Sequence, residues 1–202
     1  MKTNNQTRSY NMTRRAQSAA ETSENIIRSV LALWKDKPIH EITLESVAEK
    51  SGVTIRTILR KFGSRDGLIE ACLGHDASTI IEERINAPIG DIDGILKALI
   101  SNYEKMGEAG IRTIYLENEL KEAKDIGEKG RRVHREWCAR VFAPFLPDPG
   151  HKEYELRLSA FVTATEIYLW KLLRKDMGYD INKTFEVFKM LVEGLVKNFY
   201  NP

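Results

Sequence analysis

Between Thr43 and Leu68 the chain places two capping threonines and two glycine breaks so close together that only short helices fit between them. The spacing predicts a helix opening after Thr43, a break at Ser51-Gly52-Val53, and a second helix that Thr54 caps and that runs to about Phe62. Gly63-Ser64 breaks again, and Ser64 caps a longer helix from Arg65 towards Ile85. Helices shorter than about 12 residues are marginal in water by themselves. These must therefore bury a shared face, for which Val47, Ala48, Val53, Ile58 and Phe62 are suited. Ala48 is small where two axes cross, and Gly52 suits a turn that needs a positive φ. This is the layout of a helix-turn-helix, whose second helix lies in the DNA major groove.

With Val53, Ile58 and Phe62 facing inward, Thr54, Ile55, Arg56, Thr57, Leu59, Arg60 and Lys61 remain outside. Arginine grips guanine O6 and N7 bidentately, and threonine or apolar side chains meet thymine methyls. Arg60, Lys61 and Arg65 suit phosphates, as do the capped helix starts at Thr43 and Ser64. The net charge of +2 hides a gradient: residues 1–75 hold 12 Lys or Arg against 8 Asp or Glu, and the remainder 19 against 21. A basic first third implies that one end meets a polyanion. Residues 1–17 read as a polar, basic, flexible arm; Arg14 and Arg15 either reach the adjacent minor groove or belong to an inert tail.

The rest reads as all-α, with about nine helices in the whole chain and no strand alternation. Ser18 with Glu21 matches a capping box that opens a helix carrying Ile26, Ile27, Val30, Leu31 and Trp34, stopped by Pro38. Residues 18–86 form the DNA-binding domain; Ala87-Pro88-Ile89-Gly90 is the linker, and 87–202 the second domain. There the period returns through Ile92, Leu96, Leu99, Tyr103 and Met106 and ends near Gly107 and Gly110. A segment from Ile111 to Ala123 follows, and then a helix opened by Asp125 and Glu128. Two C-terminal helices cover roughly Lys152–Lys175 and Asp180–Tyr200. The run Lys129, Arg131, Arg132, His134 and Arg135 reads as a solvated face.

The apolar runs are too short for a membrane span, and the polar N-terminus is not a secretory signal. Cys72 and Cys138 are too few for a disulfide scaffold, so a reducing cytoplasm is the expected location. The histidines have no metal-ligand spacing, and no phosphate-binding loop, dinucleotide fingerprint, nucleophile elbow or zinc-protease motif is present. No metal, cofactor or catalytic residue is expected. The last helix repeats Ile181, Phe185, Phe188, Val192, Leu195 and Phe199, widened by Val187, Leu191 and Val196. With Leu169 and Leu172 on the preceding helix, this stripe predicts a four-helix homodimer interface that presents two reading helices to a palindromic site. Gly194 permits close approach of helix backbones.

The run Thr43-Leu44-Glu45-Ser46-Val47-Ala48-Glu49-Lys50-Ser51-Gly52-Val53-Thr54, followed by Phe62-Gly63-Ser64-Arg65-Asp66-Gly67-Leu68, resembles the signature of TetR-type (tetracycline repressor-like) transcriptional regulators. The resemblance covers roughly Ile26 to Leu73. It implies a dimeric repressor released from its operator by a small molecule in the C-terminal domain, with DNA-backbone contacts at Thr43, Thr54, Lys61 and Arg65. Leu59 stands where the family usually has a phosphate-binding tyrosine, and Arg56 where a small residue is frequent. By position the resemblance also places Tyr103, Met106, Tyr115, Trp137, Phe161 and Tyr168 on helices that enclose the effector. Glu119 and Glu166 each sit among apolar neighbours, which suits a cationic ligand, or else a rim position or an internal arginine partner. The alternative reading is a ligand-independent DNA-binding organiser that recruits a protein partner.

Overall fold

The computed structural model describes residues 6–79, 84 and 86–200, and every regular element among them is helical. In chain order these are α1 (Gln6–Asp36), a 3-10 turn (Ile39–Glu41), α2 (Leu44–Ser51), α3 (Ile55–Phe62) and α4 (Arg65–Thr79). Then come α5 (Ile92–Tyr115), α6 (Lys121–Val141), a 3-10 turn (Ala143–Phe145) and α7 (Tyr154–Ala164). α8 (Ile167–Lys171) runs into a π turn (Leu172–Asp176), and α9 (Ile181–Tyr200) closes the chain. The chain divides into two compact units, Met1–His75 and Asp76–Pro202. The boundary thus falls ahead of the Ala87–Gly90 linker read from composition, because Arg84 and Ala87 are already buried, Ala87 within the second core.

In the first unit α1 packs on α2 and α2 on α3. Ile26, Val30, Ile42, Val47, Ile58 and Leu68 are at most 1% exposed, which puts one buried residue or more on each helix and on the Ile39–Ile42 connection. Ala48, Val53 and Phe62 are half-buried. α1 starts at Gln6, so the Ser18–Glu21 pair lies inside a helix and opens none; residues 6–17, expected as an arm, are its first turns. The Arg14 and Arg15 side chains lie outside the described residues.

The second unit centres on α5, which packs on α6, α8 and α9, while α7 packs on α6 and α9. Its core holds Leu96, Leu99, Phe142, Phe161, Trp170, Phe188 and Val192. Three expected boundaries move. α5 continues past Gly107 and Gly110 to Tyr115 because both glycines are places of close approach: a Cβ on Gly107 would stand 2.5 Å from the Trp170 ring, and one on Gly110 2.9 Å from Ile167 Cδ1. α6 opens at Lys121, ahead of the Asp125–Glu128 pair. The expected Lys152–Lys175 helix breaks at Thr165–Glu166, where Glu166 turns extended (φ −73°, ψ 149°) and the Tyr103 hydroxyl donates to the Thr165 carbonyl at 2.8 Å.

Phe188 and Val192 are wholly buried within the protomer, and Leu169, Phe185, Leu195 and Phe199 pack against the same core. Of the residues in the stripe expected at a dimer interface, Leu172, Ile181 and Leu191 are exposed. A stripe along an amphipathic helix marks a buried face without saying which neighbour buries it.

Gly67 sits in the first turn of α4, where a Cβ would stand 2.2 Å from the Phe62 carbonyl oxygen. Gly130, inside α6 and exposed, has nothing within 4 Å of the same position. Urea unfolding is expected to show Gly67→Ala destabilised by about 1–3 kcal/mol through overpacking. Gly130→Ala is expected to be stabilised by about 0.5–1 kcal/mol through helix propensity.

Candidate nucleic-acid interface and interior polar cluster

The eight residues of α3 are aimed by their ends and by one buried contact. Thr54 caps the helix, its hydroxyl accepting from the Thr57 amide at 3.2 Å. Thr43 caps α2 through a reciprocal box with Ser46, at 3.1 and 3.2 Å. Gly52 turns the chain between them with φ 70°, a left-handed conformation that a side chain would strain. From α1, the Asn25 amide donates to the Ser51 carbonyl at 2.8 Å and so holds the turn. Ser64 accepts from the Gly67 amide at 3.0 Å as the cap of α4.

Ile58 is fully buried, so α3 turns the opposite face outward. Thr54, Arg56, Leu59 and Arg60 are exposed, while Ile55, Thr57 and Lys61 are half-buried. Arg56 and Arg60 lie one turn apart, and among the described residues neither has an ion-pair partner. Leu59 is 38% exposed at the outward position where the resemblance expects a tyrosine.

Two cations expected on phosphates make hydrogen bonds within the first unit. The Lys61 ammonium donates to the Ala19 carbonyl at 2.6 Å and to the Ser23 hydroxyl at 2.9 Å, tying α3 to α1. Arg65 Nε donates to the Ile42 carbonyl at 2.7 Å and Nη2 to the Ile39 carbonyl at 2.6 Å, stapling α4 to the connection after α1. Sequence carries the charge of such residues but not the carbonyls that come within their reach. Arg65→Met is expected to cost about 1.5–3 kcal/mol in urea unfolding, the value of losing hydrogen bonds from a charged donor.

In the second unit the expected effector residues separate into two groups. Tyr103, Trp137 and Phe161 are buried, and Met106 and Glu166 are half-buried. Tyr115, Glu119 and Tyr168 are exposed and do not join them. The interior group also includes Arg84, His134, Cys138 and Thr165, none of which the sequence assigns to an effector. Arg84 Nη2 donates to His134 Nδ1 at 2.6 Å, so the imidazole proton sits on Nε2. That nitrogen faces the Thr165 hydroxyl oxygen at 3.2 Å and Glu166 Oε2 at 3.6 Å. Thr165 donates onward to the Phe161 carbonyl at 2.7 Å, and the Cys138 sulfur lies 3.4 Å from the same hydroxyl.

His134 therefore does not belong to the solvated face expected for its basic run, although Arg131 and Arg132 are exposed as expected. The spacing of His134, Trp137, Cys138 and Val141, all buried, is the helical signal that identifies it. Glu166, expected beside a cationic ligand, at a rim or beside an internal arginine, is half-buried with its carboxylate on His134 and within the field of Arg84 and Arg131. Burial pushes its carboxyl up from the usual range, and the charges of Arg84 and Arg131 pull it back. Burial also pushes the Cys138 thiol up to about 12.

Burial first, and the Arg84 charge second, push the His134 imidazole down to about 3, partly opposed by the Val162 carbonyl. A histidine free in the unfolded chain titrates near 6.5. Between these values the unfolded state binds the extra proton, so the contribution of His134 is complete above about pH 6.5 and is lost as pH falls towards 3. Urea unfolding at several pH values is expected to show that decline, shallower in His134→Gln. The imidazole NMR signal of His134 is expected to stay constant between pH 5 and 8.

Among the described residues no group of three or more His, Cys, Asp or Glu is placed to hold a metal ion, and no helix is long and apolar enough to cross a membrane. No curated protein matches the sequence. The profile of the bacterial regulatory proteins, tetR family, matches residues 26–72, a span that opens in α1, takes in the whole of α2 and α3 and ends in α4. A capped pair of short helices with a buried inner face and unpaired arginines outside lies within the matched span: the chain is a helix-turn-helix DNA-binding transcriptional regulator whose residues 26–72 are the N-terminal DNA-binding domain of the TetR family.

Proposed function

We propose that the protein is a homodimeric repressor, acting in the cytoplasm, that binds a palindromic operator and leaves it when a small molecule enters the second unit. The observation that carries the DNA-contact assignment is the outward face of α3, where Arg56 and Arg60 are exposed on a helix capped at Thr54. Arg56 reads a base edge, with Thr57, Ile55 and Leu59 as its apolar and hydroxyl neighbours. Arg60 and the hydroxyls of Thr43 and Thr54 take phosphates. Lys61 and Arg65 act by holding α3 and α4 in place, consistent with the carbonyls they engage.

The dimer contact is supported by exposed apolar residues on the last helices rather than by the stripe itself. Leu156 on α7 and Met190 on α9 are each 72% exposed, and Leu191 is 43% exposed. Gly194, one turn from both on α9, leaves open space around it. A two-fold contact through these faces pairs two copies of α3 with half-sites about one helical turn apart. Release requires an effector that prefers the dimer geometry unsuited to DNA.

The packed core of the second unit favours the second reading, an organiser without an effector. Phe142 stacks on Phe161 at 4.4 Å, and Phe199 meets Phe161 edge-on at 5.7 Å. Loss of DNA affinity on adding a small molecule decides for the first reading, and recruitment of a protein without such loss decides for the second.

Fluorescence anisotropy on DNA from upstream of the protein's own gene, beside a scrambled duplex and at two salt concentrations, tests the central reading. Wild type is expected to prefer the native duplex and to weaken as salt rises. Arg56→Ala is expected to lose about 1–3 kcal/mol on the native duplex and to relax base preference. Arg60→Ala is expected to weaken both duplexes alike and lower the salt slope by about 1. Equal behaviour of the two variants overturns the division of roles. In sedimentation equilibrium, Met190→Glu is expected to shift wild-type dimers to monomers.

A further inference from the structure

Arg84 stands in the chain between α4 and α5 and is 7% exposed. Its backbone is held by other residues: the Trp137 indole and the Arg140 guanidinium each donate to its carbonyl oxygen at 2.7 Å. Its guanidinium lies over the Trp137 ring, 4.4 Å from the centroid, and 5.9 Å from that of Tyr103. Nη2 has the neutral His134 imidazole as its acceptor. Nε is buried and has no hydrogen-bond partner. Among the described residues no carboxylate makes an ion pair with this group; Glu166, the one that acts on the cluster, is set on His134 Nε2 instead.

A guanidinium does not shed its proton, so burial cannot neutralise it as it neutralises His134. Aromatic faces and a neutral imidazole offset a buried charge only partly, and what completes the environment is an anion with oxygens to accept the free N–H. Planar carboxylates match that geometry. The Glu166 side chain, 26% exposed, joins the cluster to solvent at the break between α7 and α8.

We infer that Arg84 is the anion-binding group of an interior effector site, and that the effector is a small organic carboxylate held at Arg84 Nε with its apolar part against Tyr103 and Trp137. This rests on the ligand-responsive reading above and replaces the cationic ligand that Glu119 and Glu166 suggested. The effector then sits on a residue that lies between α4 and α5 in the chain.

The test titrates the full-length protein with formate, acetate and benzoate, each against sodium chloride at equal ionic strength, with benzamide as a neutral counterpart and inorganic phosphate as the competing anion. Melting temperature and tryptophan fluorescence are the readouts, since Arg84 lies on Trp137. At least one carboxylate is expected to raise the melting temperature saturably and change the fluorescence, while benzamide does neither. Arg84→Lys is expected to weaken that response at least tenfold and Arg84→Met to abolish it, with wild-type helicity by circular dichroism. Should Arg84→Met fail to fold, Arg84→Lys carries the comparison. No saturable response to any of the three carboxylates, an undiminished response in Arg84→Lys, or a response to phosphate alone overturns the inference. The carboxylate that binds is then added to the protein–DNA complex: binding without loss of DNA affinity keeps the anion site and overturns ligand release.

Discussion

A helix of eight residues such as α3 has no stability to spare, and the first unit is built around supplying it from outside. Ile58 is the single wholly buried residue of α3, sunk into a core drawn from α1, α2 and α4. The remaining constraints are polar and act at the helix ends. Thr43 and Thr54 satisfy the first amides, Asn25 holds the turn through the Ser51 carbonyl, and Lys61 ties the far end of α3 back to α1. Gly67 brings α4 against the last carbonyl of α3. Because caps and buried contacts take up these groups, Arg56 and Arg60 remain as cations without an internal task.

The second unit solves a different problem. Its aromatic core encloses polar groups that, left unpartnered in a dry interior, would each cost more than a hydrogen bond returns. A chain of donors and acceptors satisfies most of them: Arg84 to His134, His134 to Thr165, Thr165 to Phe161, and Tyr103 to the Thr165 carbonyl. That last bond falls at the break between α7 and α8, so the network reaches the backbone that encloses it. The one unsatisfied member of this chain is Arg84 Nε, on the first cationic residue of the second unit in the sequence.

Much of the DNA-binding unit is legible in the sequence because its signals are local. A threonine before an apolar period, a glycine at a tight turn and a serine before a new helix act within four residues of themselves, and Thr43, Thr54, Ser64 and Gly52 all take the expected places. Capping pairs mislead where neighbouring residues already favour the helix: Ser18–Glu21 and Asp125–Glu128 both lie within longer ones. Gly107 and Gly110 read as stops, yet each is a gap into which a side chain from α8 fits.

What the sequence by itself determined is the all-α class, the helix-turn-helix and the residues its second helix turns outward, since each follows from spacing along one helix and from caps at its ends. Tertiary structure alone decided the uses of the long and polar side chains. Whether Lys61 meets a phosphate or a carbonyl of α1, whether His134 faces water or Arg84, and whether Phe188 lies in a dimer seam or the protomer core depend on groups tens of residues away. Periodicity gives the direction of a face and is silent about what lies opposite it, because hydrophobic burial is non-directional and only a packed neighbour settles which surface is removed from water.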